Sequence, residues 1–351
     1  MMVELRRRRS SVLANVGLAL AALALIGLAA EGTARWAWHR VASRPAPDLP
    51  EEWRDLPRLT GTHAMSRPNV RGIVGGVLYE TNNAGFRGPE RALEKEPGVF
   101  RVVVIGDSIA MGTGVLYEET YAARLETALA SRFPDRAVEV LDMGLAGLNA
   151  LWIVERFERR SLRYAPDLVI YGYTLNDIEG KKYRRSADAG FTGPLASWQS
   201  PVYVWRYLKP RLNSLRELLG SPQGSYSFEL DENYFRNPEA WQEVLEAFDR
   251  LAELAREREL CAVMLVHTKL YSLGWLHPFR RHYDLVAEAA RERGFHVVQS
   301  WPAFEGKSSA ALRINAIDSH PNALGHALLF DALGSGLAAL PDACWERRGA
   351  P

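Results

Sequence analysis

The sequence predicts an α/β fold organised on a parallel sheet, and three observations carry that prediction. From about residue 100 onward, short apolar and β-branched runs alternate with longer segments of helical spacing, the pattern of strand–helix–strand units. The runs at 102–105 and 168–173 are apolar without a polar face, which fits strands that are buried. Polar motifs follow directly on these runs, Gly106-Asp107-Ser108 on the first and Asn176-Asp177 on the second. Both fall outside the carboxyl ends of strands, where open α/β sheets bind their ligands.

Residues 100–105 form the first of these strands. Thr120 is a fitting N-cap for a helix over 121–133, because its hydroxyl can accept a free N–H of the first turn. Residues 137–143 give the next strand, 149–164 a helix and 167–173 the third strand. Asn237-Pro238-Glu239 opens a helix with a capping side chain, a proline at the first helical position and an acid in the first turn. Along that helix Trp241, Val244, Leu245, Phe248, Leu251, Ala252 and Ala255 recur at helical spacing and should face the sheet. Strands at 260–267 and 295–299 flank a helix at 279–293, and 322–340 closes the chain as helix.

At 351 residues, 47% hydrophobic and 24% charged, the chain has ordinary globular composition and ample length for a large core. Net charge is +1; Glu4 and Arg6 to Arg9 supply +3 of it, which leaves −2 for the rest and no basic surface for nucleic acid. Cys261 sits in an apolar run, where a free thiol behaves as a small core residue, and with Cys344 as the only other cysteine no disulfide framework is expected. The cysteines and eight scattered histidines show no zinc-ligand spacing, so neither a metal nor a cofactor is expected.

Arg6 to Arg9 precede residues 12–30, whose one polar side chain is Asn15. Nineteen helical residues rise about 28 Å, close to the hydrocarbon thickness of a bilayer. The expectation is a cytoplasmic segment 1–11, one transmembrane helix at 12–30 and a catalytic domain on the far side of the inner (cytoplasmic) membrane, as the excess of arginines before the helix favours. A cleaved signal peptide is the alternative, since Gly27-Leu28-Ala29 has small residues where a signal peptidase cuts. A stalk is expected over 31–77, with five prolines between 41 and 70, and the domain over 78–345. Residues 178–236, rich in aromatics and without periodicity, read as an insert or lid beside the site, or as a satellite core.

Acyl transfer through a serine needs a nucleophile, a base, a group that orients the base, and donors for the oxyanion. Ser108 is the candidate nucleophile in a turn whose glycines let the backbone bend tightly, and His320 in Asp318-Ser319-His320-Pro321 is the candidate base. Asp318 would hold the imidazole. The Ser108 and Gly147 backbone N–H groups and the Asn176 side-chain amide would receive the oxyanion. Asp107 reads as a structural or capping residue, and His267 and His326 as packing or rim histidines. The basic run Lys181, Lys182, Arg184 and Arg185 is either solvated or a seat for an anionic group.

These motifs resemble the sequence blocks of the SGNH, or GDSL, hydrolase family over roughly residues 78–340. Ser108 matches its block I nucleophile, Gly147 its block II glycine, Asn176 its block III asparagine, and Asp318 with His320 its block V pair. Two positions depart from the pattern: Thr174 stands where block III has glycine, and Asp318 precedes His320 by two residues, where three is common. Residues 82–88 and 318–326 also resemble segments of membrane-anchored bacterial members. The resemblance implies a flavodoxin-like three-layer α/β/α sandwich and ester hydrolysis or acyl transfer without metal or cofactor. The expected function is an esterase or deacylase acting outside the cytoplasm on O-acyl groups of a carbohydrate, lipid or envelope polymer. An O-acyltransferase with the same residues, or a non-catalytic envelope-binding module, are the alternatives.

Overall fold

The computed structural model describes residues 2–43, 50–179, 203–204, 226–275, 277–315 and 318–346, which form two compact units, Met1–Asp48 with Ser197–Tyr226 and Leu49–Ala196 with Ser227–Pro351. The first unit carries the helix Met2–Ser43, whose stretch Asn15–Trp36 has a mean hydropathy of 1.8, holds no buried residue, and is long and apolar enough to cross a membrane. The helix runs well past residue 30, where the sequence placed its end. Glu31 and Arg35 do not break it, and the Thr33 hydroxyl finds its acceptor within the helix, donating back to the Ala29 carbonyl at 2.8 Å.

In the second unit, β1 (Arg71–Val74) and β2 (Val77–Glu80) make an antiparallel hairpin across the expected boundary between stalk and domain at residue 77. Val74 and Tyr79 pack with Met65, Met111 and Leu145 into a buried cluster, so the hairpin supports the loops around Ser108 and Gly147. The turn that follows places Arg87, which is buried and donates to the carbonyls of Met111, Gly112 and Val115 at 2.8 to 3.0 Å, tying down the loop after Ser108.

The main sheet consists of β3 (Phe100–Gly106), β4 (Val138–Asp142), β5 (Leu168–Tyr173), β6 (Cys261–Val266) and β7 (His296–Gln299). All neighbours are parallel, in the order β4-β3-β5-β6-β7. Tyr121–Arg132 packs on β4 and on Ala323–Ala338, and Ala150–Arg159 packs on Pro238–Glu257, giving the layers of an α/β/α sandwich. The predicted caps are present, Thr120 accepting from the Ala123 N–H and Asn237 from Ala240, and two further helices are capped by Asn149, which accepts from Trp152, and Asn322, which accepts from Leu324 and Gly325. The predicted helix over 149–164 is Ala150–Arg159 followed by a tight turn at Ser161–Tyr164.

The chain leaves β3 for β4 on one side and returns to β5 on the other, so the crevice between the carboxyl ends of β3 and β5 is the switch point of the sheet. The strands come close there. A Cβ on Gly106 would lie 2.6 Å from the Gly172 carbonyl oxygen, and one on Gly172 would lie 2.5 Å from the Tyr121 hydroxyl, so glycine is required at both.

One sequence expectation is overturned. Cys261 and Cys344 are joined in a disulfide, with Cα atoms 5.4 Å apart, and no cysteine is free. Cys261 sits at the partly exposed start of β6, not in the core, and the turn after the last helix brings Cys344 to it across 83 positions. A pairing between segments so remote cannot be read from two isolated cysteines.

Candidate active site

Ser108 is the second residue after β3, half-buried, with Asp107 fully buried beneath it. The Asp107 carboxylate accepts from the Ile109 N–H at 3.0 Å and so pins the turn that presents Ser108. The Ser108 Oγ lies 2.7 Å from His320 Nε2, and His320 Nδ1 lies 2.5 Å from Asp318 Oδ1. A serine, an imidazole and a carboxylate from opposite ends of the domain sequence thus form one hydrogen-bonded chain at the carboxyl edge of the sheet.

The two-residue spacing of Asp318 and His320 has a local explanation. Asp318 Oδ1 accepts both from the His320 backbone N–H, at 3.0 Å, and from the ring Nδ1, so the carboxylate folds back over its own turn to reach the imidazole. The Asn315 side chain accepts the Asp318 N–H, and the Ile314 N–H donates to the His320 carbonyl, which fixes the turn from both sides. Burial works to raise the Asp318 pKa, but its hydrogen bond to His320 and the charge of that ring hold the carboxyl below the ordinary carboxylate range.

Thr174 and Asn176 follow β5, and both converge on Asp107. The Thr174 hydroxyl lies 2.9 Å from Asp107 Oδ1 and 3.1 Å from His267 Nδ1, while Asn176 Nδ2 donates to Asp107 Oδ2 at 3.0 Å. The threonine, at φ −117°, is therefore unstrained and adds a bridge that glycine cannot make. Asp177 is buried, caps the Thr174 N–H and accepts from Tyr171; burial and the nearby Asp107 charge push its pKa well up. Gly147 lies in the exposed turn between β4 and Asn149, at φ +82°, on the same edge of the sheet.

Two features were missed by sequence reasoning. Lys269, three residues past β6, donates to Asn176 Oδ1 at 2.6 Å, and Arg87 holds the Ser108 loop. The position of Lys269 beyond a strand's carboxyl end was the available signal. His267 and His326 are buried, as expected of packing residues. Burial lowers their pKa to about 4 and about 3, and His326 stacks on Tyr121 while accepting its N–H. The basic run at 181–185 and most of the aromatic insert lie outside the described residues. Tyr234, toward the end of that stretch, bonds to the Tyr173 hydroxyl and the Leu175 carbonyl.

A doubly wound parallel sheet with a serine hydroxyl and an imidazole in contact at its switch point is the arrangement of a serine hydrolase. The chain belongs to the GDSL-like lipase/acylhydrolase family, whose model matches residues 104–328, and it is accordingly a serine hydrolase acting on ester bonds. Comparison with curated proteins gave no match. Among solved structures, it is similar to LAE5, an α/β hydrolase enzyme from the metagenome of Lake Arreo, at 18% identity and a TM-score of 0.43, covering 69% of this chain and 96% of that one. It is also similar to a catalytic mutant of Axe2, an acetylxylan esterase from Geobacillus stearothermophilus, at 17% identity and a TM-score of 0.44, covering 71% of this chain and 97% of that one. A two-domain esterase active on acetylated mannans aligns at 15% identity and a TM-score of 0.44, covering 72% of this chain and 52% of that one.

Proposed function

We propose that this protein is an esterase or deacylase that removes O-acyl groups from a carbohydrate or envelope polymer outside the cytoplasm, with Ser108 as nucleophile, His320 as general base and Asp318 as the group that orients it. The observation that carries this reading is the contact of Ser108 Oγ with His320 Nε2 at 2.7 Å, with Asp318 on the far ring nitrogen. Nε2 takes the hydroxyl proton as Oγ adds to the acyl carbonyl. The charge that develops on the carbonyl oxygen is received by the Ser108 and Gly147 backbone N–H groups and by Asn176 Nδ2. The proton on Nε2 then passes to the departing sugar or lipid oxygen. Water, deprotonated by the same nitrogen, cleaves the acyl-serine and releases the free acid.

Placement outside the cytoplasm is supported by the apolar stretch Asn15–Trp36 behind Arg6 to Arg9, and by the disulfide, a bond that persists in oxidising compartments. In this reading residues 12–30 span the membrane, residues 1–11 stay inside, and the tether limits substrates to what lies near the membrane.

The test uses the full chain in detergent. Ser108→Ala should abolish turnover of a chromogenic acetate ester while circular dichroism stays unchanged, and a serine-directed phosphonate should label Ser108; unchanged turnover refutes the assignment. Incubation with an acyl donor and an oligosaccharide should yield free acid. Acylated sugar would instead identify an acyltransferase built on the same residues.

A further inference from the structure

An asparagine side chain can serve an oxyanion only if its N–H₂ end faces the gap, because the opposite rotation presents a carbonyl oxygen that repels the developing charge. Nothing in the Asn176 side chain itself selects between the two. Its neighbours do. On one side Asp107 is an ionised acceptor: burial acts to raise its pKa, but the Ile109 N–H, the Lys269 charge and the Asn176 bond hold it below the ordinary carboxylate range. On the other side the Lys269 ammonium is a donor with no acceptor capacity. With Nδ2 on Asp107 at 3.0 Å and Lys269 Nζ on Oδ1 at 2.6 Å, a flipped amide would set carbonyl against carboxylate and N–H₂ against ammonium. One orientation remains, and it leaves the second Nδ2 hydrogen to point away from Asp107.

Lys269 is itself held in place. Its backbone N–H donates to the Tyr283 hydroxyl at 2.7 Å, Tyr283 is buried in the helix Arg280–Glu292, and that hydroxyl also meets His277 Nε2 at 3.1 Å. The ammonium therefore reaches the site from a fixed anchor three residues beyond the carboxyl end of β6, the strand next to β5. Its charge also lies one amide group away from where the oxyanion forms and polarises that amide toward stronger donation.

We propose that Lys269 is a positioning residue of the ester-hydrolysing site, clamping the Asn176 carbonyl oxygen so that the amide N–H₂ is turned to the oxyanion beside Ser108. The proposal rests on the functional reading above, in which Asn176 is an oxyanion donor. Lys269 acts through Asn176 and touches no reacting atom.

The experiment measures kcat and KM on a chromogenic acetate ester, together with the rate of phosphonate labelling of Ser108, in the full chain and in Lys269→Met, Lys269→Arg, Asn176→Ala and the Lys269→Met/Asn176→Ala double variant. Lys269→Met should lower kcat by about 10-fold or more with KM within about twofold, because a donor of this kind is worth about 100- to 1,000-fold when removed outright. Labelling should slow in parallel, Lys269→Arg should recover most of the rate, and the double variant should be no slower than Asn176→Ala alone. Where Lys269→Met lowers the melting temperature, Lys269→Arg against Lys269→Gln at matched stability gives the same decision. If the wild type is not labelled at Ser108, the functional reading falls and this proposal with it. If the wild type is labelled but Lys269→Met keeps full kcat, loses only KM, or adds its effect to that of Asn176→Ala, this proposal alone is overturned.

Discussion

The site has a front and a back, and the same residue type behaves differently in each. In front, His320 and Asp318 each keep about a third of their side chains exposed (32%), and His320 stands between a hydroxyl and a carboxylate. Behind, His267 and His326 are fully buried among Thr174, Tyr121 and the sheet, and burial holds both neutral. An imidazole suits proton transfer at neutral pH where solvent and a carboxylate stabilise its charged form. Where the ring is shut away from solvent, burial outweighs even the nearby Asp107 carboxylate at His267, and the imidazole is a shaped polar filler. Three histidines lie near Ser108, and only His320 meets its hydroxyl.

Replacing the front histidine tests this contrast most severely. His320→Ala should lower kcat for a chromogenic ester by about 10⁴-fold or more, and adding Ser108→Ala should cost little further, because the two act as one unit. Rescue by His267 or His326 would break the comparison. Asp318→Asn keeps the shape but no longer fixes the tautomer, and should cost up to about 10⁴-fold in kcat. The depressed Asp318 pKa adds a sign. The carboxylate stays ionised through the ordinary carboxylate range as pH falls, so protonation of Asp318 should cause no loss of kcat/KM above about pH 4, and a loss there that disappears in Asp318→Asn would contradict this. Asn176→Ala, at the seam between front and back, should lower kcat by about 100- to 1,000-fold with a small change in KM.

The back should appear in stability, not in rate. His267 and His326 titrate near 6.5 when unfolded but at about 4 and about 3 in the fold, so in between the unfolded chain binds more protons. Their contribution is complete above about pH 6.5 and is lost as pH falls, at about 1.4 kcal/mol per pH unit for each ring that stays neutral. Urea midpoints between pH 7 and 4 measure this. His326→Asn keeps an acceptor for the Tyr121 N–H and should flatten the slope by one ring's share, leaving kcat at neutral pH within a few-fold. The disulfide is further still from the chemistry: Cys261→Ser with Cys344→Ser should cost about 2 to 4 kcal/mol of stability and leave turnover of the folded enzyme unchanged at 25 °C.

Much of the front was legible in sequence. Ser108, Asn176, Asp318 and His320 stand where a strand, a turn and a helix cap set their places, and such local signals are carried by adjacent residues. Of the back, the packing role of His267 and His326 was legible but their partners were not. Thr174 looked like a mere departure from a glycine pattern until its hydroxyl was found between Asp107 and His267, partners 67 and 93 positions away.

By itself, the sequence determined the alternation of strands and helices, two of the caps that start the helices, the apolar N-terminal stretch and the candidate site residues Ser108, Asn176, Asp318 and His320. Each of these rests on periodicity or on neighbours within one turn. Only the tertiary structure decided that Cys261 meets Cys344, that Met65, Val74 and Tyr79 pack on Met111 in the loop after Ser108, and that Lys269 faces the oxygen of Asn176. Those contacts depend on which strands lie side by side and in what register, and strand order is a property of the whole sheet that no local window of residues encodes.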